Sequence, residues 1–171
     1  SVNGKAFAAK LSKDLVKAGY ITVSGLARGI DSSVHSSSLD YTIAVIAGGI
    51  DHIYPPENKT LYEEIAKNGL ILAELPIGSK PLSQHFPQRN RIISGLALAT
   101  IVIEAGIKSG SLITANFALE QNRDVFAVPG FPLDPRCIGS NQLIKNGAYL
   151  LESVDDIVTN VVSNDKFQKE L

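Results

Sequence analysis

Thr42-Ile43-Ala44-Val45-Ile46-Ala47, closed by Gly48-Gly49, decides how this chain folds. A strand with one wet face alternates apolar and polar side chains, and this run does not alternate. Short continuous apolar runs stopped by glycine belong to strands covered on both faces, as in a parallel sheet flanked by helices. The flanking sequence supplies those helices. Upstream, residues 4–18 predict an amphipathic helix with Ala6, Phe7, Ala9, Leu11, Leu15 and Val16 on its apolar side and Gly19 just past its end. Residues 20–24 predict a short strand, and Gly25-Leu26-Ala27-Arg28-Gly29-Ile30-Asp31 a tight turn into a second helix holding Val34 and His35. Downstream, Pro55-Pro56 breaks the chain and Asn58 can cap a helix to Lys67, followed by a strand at 70–74.

The alternation continues past a loop at 75–86. It gives a helix at 87–97, a strand at 100–104, a turn at Ser109-Gly110-Ser111 into a helix, a strand at 124–128, a short helix at 141–145 and an edge strand at 148–151. Strand and helix in turn imply an α/β fold, a doubly wound and mostly parallel sheet with right-handed crossovers. Residues 1–158 are expected to form one domain, and 159–171 a polar C-terminal tail or linker.

Composition narrows the classes. A chain of 171 residues with 44% hydrophobic content can bury a real core. The net charge of −1 gives no global basic footprint, so nucleic-acid binding would have to come from a local patch. The single cysteine, Cys137, excludes an internal disulfide and is read as inert. No apolar run is long enough to span a membrane, and a cytoplasmic location is expected.

In open parallel sheets, ligands bind beyond the carboxyl ends of the strands. That edge collects Ser24-Gly25 with Arg28, Gly29 and Asp31, then Gly48-Gly49, then Glu104 with Lys108 and Ser109-Gly110-Ser111, then Pro129-Gly130. Small-residue turns let backbone approach a ligand, and successive N–H groups make anion nests. Phe86-Pro87-Gln88-Arg89-Asn90-Arg91 adds a helix start with Pro87 at its first position. Arginines in a first turn sit at the positive end of the helix dipole, which favours them only if an anion joins them. A phosphate-bearing ligand follows as the expectation. Phe86 fits either stacking on a base or plugging the core; for Tyr54 the core-plug reading is preferred.

Catalytic constellations are thin. Asp31 and His35 share a helix face, with His35 read as a half-buried structural histidine. Glu104 fits a general base or an orienting group, with orientation preferred. Asp51-His52 reads as a surface pair. No His, Cys, Asp or Glu cluster has metal spacing, and neither a P-loop nor a dinucleotide fingerprint is present. No metal, cofactor or catalytic residue is expected.

Taken together, the motifs resemble the signature of the DprA/Smf family, the DNA-processing proteins of bacterial transformation. They are Ser24 to Asp31 with His35; Tyr54-Pro55; Phe86 to Leu96; Glu104-Ala105 with Ser109 to Ala115; Arg123 to Gly130; and Gly139-x-Asn141-x-Leu143-Ile144-x-x-Gly147-Ala148. The resemblance covers residues 4–158. It implies an extended Rossmann-like domain that binds single-stranded DNA without reading sequence, protects it, dimerises and helps load the RecA recombinase, with no catalysis. Carried over by position, Arg28, Arg89, Asn90 and Arg91 fall in the basic cleft, Ser109, Gly110 and Ser111 on the small-residue loop, and Asn141, Leu143 and Ile144 in the segment of dimerisation and RecA contact. The chain departs from the pattern in two places. The sheet read here lacks the family's first strand with its Val-Gly-Ser-Arg-like turn, and the stretch from His35 to Thr42 is shorter, with Tyr41 where a basic residue is common. The fold is also similar to nucleotide phosphoribohydrolases, whose Pro-Gly-Gly-x-Gly-Thr-x-x-Glu loop ends in a glutamate; Thr114 and Ala115 stand in that region here. A nucleotide-acting hydrolase is therefore the competing expectation.

Overall fold

A computed structural model describes residues 1–168, with side chains described to residue 161. The chain divides into two compact units, Ser1–Leu96 and Ala97–Leu171. Each contains a three-stranded, wholly parallel sheet whose strands lie side by side in chain order. The α/β expectation of parallel strands joined by helices is met, with the hydrogen bonding resolved into two small sheets.

In the first unit, α1 (Val2–Lys17) begins at Ser1, whose hydroxyl accepts the Gly4 N–H at 2.9 Å. Its buried stripe is Gly4, Ala8, Leu11, Ser12 and Leu15. Ala6 is exposed, so the packed face is rotated from the one that apolar character alone selects. Helix α1 packs on α2 (Ile30–Ser37). Gly19, at φ +88°, turns the chain into β1 (Thr22–Ser24). The decisive run becomes β2 (Thr42–Ile46), central between β1 and β3 (Leu70–Ala73), with Ala44 and Val45 wholly buried. Helices α2 and α3 (Lys59–Asn68) make the crossovers. Leu26, Ala44, Ile46, Tyr62, Ile65 and Ile71 form the core.

Helix α4 runs from His85 to Leu96 and packs on β1 and β2. It starts before the expected Pro87. Arg89 is therefore its fifth residue and Arg91 its seventh, beyond the first turn where a helix dipole acts strongly. The argument that the positive end of the helix required an anion there does not hold.

The second unit alternates β4 (Ala99–Val102), α5 (Gly110–Glu120), β5 (Asp124–Ala127), α6 (Ile138–Lys145) and β6 (Tyr149–Leu150). Its core gathers Val102, Ala105, Ala115, Ala118, Val125 and Ala127. The expected edge strand is β6, with Tyr149 stacked on Phe126 at 5.0 Å. Helix α7 covers Val154–Gln168. The tail expected from 159 falls on this helix, and its last residues, 169–171, lie outside those described.

Candidate nucleic-acid interface

The turn after β1 is closed by its own chain. The Asp31 carboxylate accepts the N–H groups of Gly25 and Ala27, both at 3.1 Å. Ser32 Oγ donates to Ala27 O at 2.8 Å. Asn58 does not cap α3 with its side chain; its amide donates to Leu26 O at 2.9 Å and to Ser32 Oγ at 3.0 Å. The anion nest that the glycines suggest thus already holds an anion, Asp31. Gly29, at φ +92°, leads into α2 in a conformation that side chains rarely adopt.

His35 lies beneath this turn with no exposure. Its Nδ1 meets Thr42 Oγ1 at 2.7 Å, and Thr42 Oγ1 meets Thr22 Oγ1 at 2.8 Å, which in turn meets Ser38 Oγ at 2.7 Å. Nε2 has no hydrogen-bond partner. Burial pushes this imidazole down to about 4, against the opposing pull of Asp31. It is a neutral core histidine and more deeply buried than the half-buried expectation.

Arg89 and Arg91 stand two residues apart on α4, roughly 200° around the helix, and face different surroundings. Arg89 is only 6% exposed. Its Nη1 donates to Gly25 O at 2.7 Å and to Val45 O, joining the ends of β1 and β2. Its Nε donates to Asn90 Oδ1 at 3.1 Å. Burial lowers its pKa and Asp31 opposes that. A Cβ on Gly25 would stand 2.7 Å from the guanidinium carbon, so that glycine makes room for Arg89. Arg91 is exposed and pairs with Glu74, just after β3.

Gly48 and Gly49 also face their own chain. Gly49 N donates to Ser79 O at 2.8 Å, and a Cβ on Gly49 would stand 2.5 Å from Pro76 O. Asp51 secures the same loop by accepting Gly78 N–H at 2.9 Å, which lowers its pKa. Asp51 is therefore more than a surface pair with His52.

Two aromatic rings in this unit stand between two cations. Arg28 stands 6.0 Å from the Tyr54 ring, Tyr54 meets Phe86 edge-on at 5.4 Å, and Arg89 stands 5.9 Å from Phe86. Tyr54 is 43% exposed, which corrects its reading as a core plug. Phe86 is half-buried. Arg28 is exposed and forked onto Glu57. The first unit thus assembles Ser24, Gly25, Arg28, Gly29, Asp31, Gly48, Gly49, Phe86, Arg89 and Asn90 at the carboxyl ends of β1 and β2, with Arg91 on the same helix. Sequence reasoning missed Glu57, Asn58, Glu74 and Asp51. The only cue was their closeness in sequence to glycine, proline or strand-end residues.

In the second unit Lys108 is exposed in the turn before α5. Ser109 caps that helix, accepting Ser111 N–H at 3.3 Å, and a Cβ on Gly110 would meet open space. Asn141 clamps the backbone of Gly130, donating to its carbonyl at 2.9 Å and accepting its N–H at 3.0 Å. Leu143 and Ile144 pack against the unit's core. Cys137 is buried, and burial raises its pKa. Among the described residues no carboxylate, histidine or cysteine cluster could hold a metal, and no helix is long and apolar enough to cross a membrane.

The family model for DNA recombination-mediator protein A matches residues 1–162. The chain is 49% identical over 162 residues to Protein Smf of Synechocystis, covering 93% of this chain and 41% of that protein. It is 50% identical over 157 residues to DNA processing protein DprA of Bacillus subtilis, covering 90% and 53%. The chain thus spans about half the length of these relatives. The X-ray structure of DNA processing protein A from Streptococcus pneumoniae superposes with a TM-score of 0.83 at 43% identity, covering 93% of this chain and 57% of that one. A structure reporting the single-stranded DNA binding mode of the Helicobacter pylori protein gives 0.88 at 30% identity, covering 96% and 76%.

Proposed function

The chain belongs to the DNA recombination-mediator protein A family, and we propose that it binds single-stranded DNA without reading its sequence. The observation that carries this reading is the run of Arg28, Tyr54 and Phe86 at the carboxyl ends of the first unit's strands. Aromatic faces accept any base, at about 1–3 kcal/mol per stacked base. Arg28 and Arg91 supply phosphate contacts from exposed positions, and Lys108 with the Ser109-Gly110-Ser111 turn supplies a further set in the second unit. Arg89 has a different role. Its donors hold strand ends, so it shapes the interface from beneath and backs the Phe86 ring from 5.9 Å.

The same reading places the chain in transformation and recombination, where it protects incoming strands, pairs with a second copy and helps load RecA. The family likeness supports the last two roles through the Asn141 to Ile144 segment. Gln142 is its exposed member, with exposed Lys145 directly after it, because Asn141 holds Gly130 and Leu143 and Ile144 face the core. The reading assigns no reaction to the chain.

Fluorescence anisotropy with labelled single- and double-stranded oligonucleotides tests it. Single strands of unrelated sequence should bind alike and more tightly than duplex. Phe86→Ala should weaken binding by about tenfold, the loss of one stacked base, and Arg91→Ala by severalfold on every sequence. Equal affinity for duplex, or an unaffected Phe86→Ala, would refute it. Hydrolysis of nucleoside monophosphates that disappears in Glu104→Gln would favour the hydrolase class instead.

A further inference from the structure

The exposed arginines of the first unit are already engaged by carboxylates. Glu57 grips Arg28 in a fork, with Nε to one oxygen at 2.9 Å and Nη2 to the other at 3.0 Å. Glu74 accepts from Arg91 Nη2. All of these side chains stand well into water, at 61% and 60% exposure for the first pair and 49% and 44% for the second. Ion pairs this exposed add little to folding. Their placement is what distinguishes them. Each carboxylate sits on a guanidinium edge that a phosphodiester would use, and each carries the same single charge as a phosphodiester.

We infer that Glu57 and Glu74 are internal phosphate surrogates: a DNA strand binds by displacing them, and they select a run of phosphodiesters over a single anion. This rests on the DNA reading above. Exchanging one monoanion for another around a guanidinium changes the energy little. A lone anion therefore gains almost nothing by displacing one glutamate. A strand displaces both and stacks its bases on Tyr54 and Phe86 as well, so only a polymeric ligand gains. The exchange also leaves a signature in salt. An arginine with no competitor releases a condensed counterion from the strand and adds about 0.7 to the salt slope. When a glutamate is displaced, it attracts a cation of its own, and the net release falls toward zero.

The test is a titration of a fluorescein-labelled thymidine oligonucleotide across a salt series with wild type, Glu57→Gln, Glu74→Gln and the double variant. Each single change should tighten binding by about twofold to fivefold, the fold-change equivalent of an exposed ion pair. Each should also steepen the salt slope by about 0.7. The effect of Glu57→Gln should vanish in an Arg28→Gln background, which shows that it acts through that arginine. Inorganic phosphate should compete better against the double variant than against wild type. If wild type binds the oligonucleotide and the glutamine variants match it in affinity and slope, the inference fails while the DNA reading stands. Weaker binding by Glu57→Gln also overturns it, since Glu57 would then hold Arg28 in place for the strand. If neither wild type nor the double variant binds at any salt while both melt normally, the DNA reading itself fails, and this inference with it.

Discussion

Arg89→Met separates two roles that one arginine can play. Methionine matches the length of the aliphatic stem and removes the guanidinium. In the native structure Nη1 supplies donors to Gly25 O and Val45 O in a site where Arg89 is 6% exposed. The substitution leaves both carbonyls buried without that donor, at about 1–3 kcal/mol each. Part of that is returned because a guanidinium no longer has to be desolvated. A net loss of about 2–4 kcal/mol follows. With a urea dependence of about 2 kcal/mol per molar, the unfolding midpoint should fall by about 1–2 M. The sequence contains no tryptophan, so far-ultraviolet circular dichroism is the suitable signal. Arg89→Lys keeps the charge and loses the planar fork, so it should lose nearly as much. An Arg89→Met protein with the wild-type midpoint and no DNA binding would refute the reasoning and make Arg89 a direct phosphate contact.

Three further outcomes are expected. The folded state holds His35 neutral, with its pKa lowered to about 4 from 6.5; the stability this confers is complete above pH 6.5 and is lost as pH falls toward 4. The loss is about 3 kcal/mol, and thermal melts between pH 7.5 and 4.5 should show an acid limb that His35→Leu flattens. Gly49→Ala places a methyl 2.5 Å from the Pro76 carbonyl, so it should cost about 1–3 kcal/mol by overpacking and raise amide exchange in the 76–79 loop; unchanged exchange would count against the close approach. Asn141→Ala removes both bonds to Gly130 and should lower stability by about 1–3 kcal/mol, read as a fall in melting temperature. A variant that melts normally would show that Asn141 does not hold that turn.

What the sequence conveyed and what it withheld follow from which interactions are local. Thr42 to Ile46 could be read as a covered strand because its pattern needs no partner to be recognised. Helix and strand positions elsewhere were legible for the same reason. Arg89 and Arg91 are the same residue type on the same helix, and nothing local tells which one faces β1 and β2. That depends on the packing angle of α4, and the helix start at His85 moved both away from the end where the dipole acts. The glycines at 25, 48 and 49 suggest close approach of backbone to a ligand, and nothing local shows that their neighbours come from the chain itself. What approaches them is Arg89 and the 76–79 loop, groups distant in sequence. Nothing local marks Glu57 and Glu74, because an ion pair between remote residues leaves no pattern in a single chain.

The Asp31 carboxylate on the amides of Gly25 and Ala27 has a kinetic consequence. A loop whose free amides had to wait for an incoming anion would order only on association. Here the ordering happens when the chain folds. Encounter becomes close to rigid docking, with little of the entropic penalty that slows disordered binding segments. In hydrogen-exchange terms, the Gly25 and Ala27 amides should exchange more slowly than unbonded loop amides before any ligand is added.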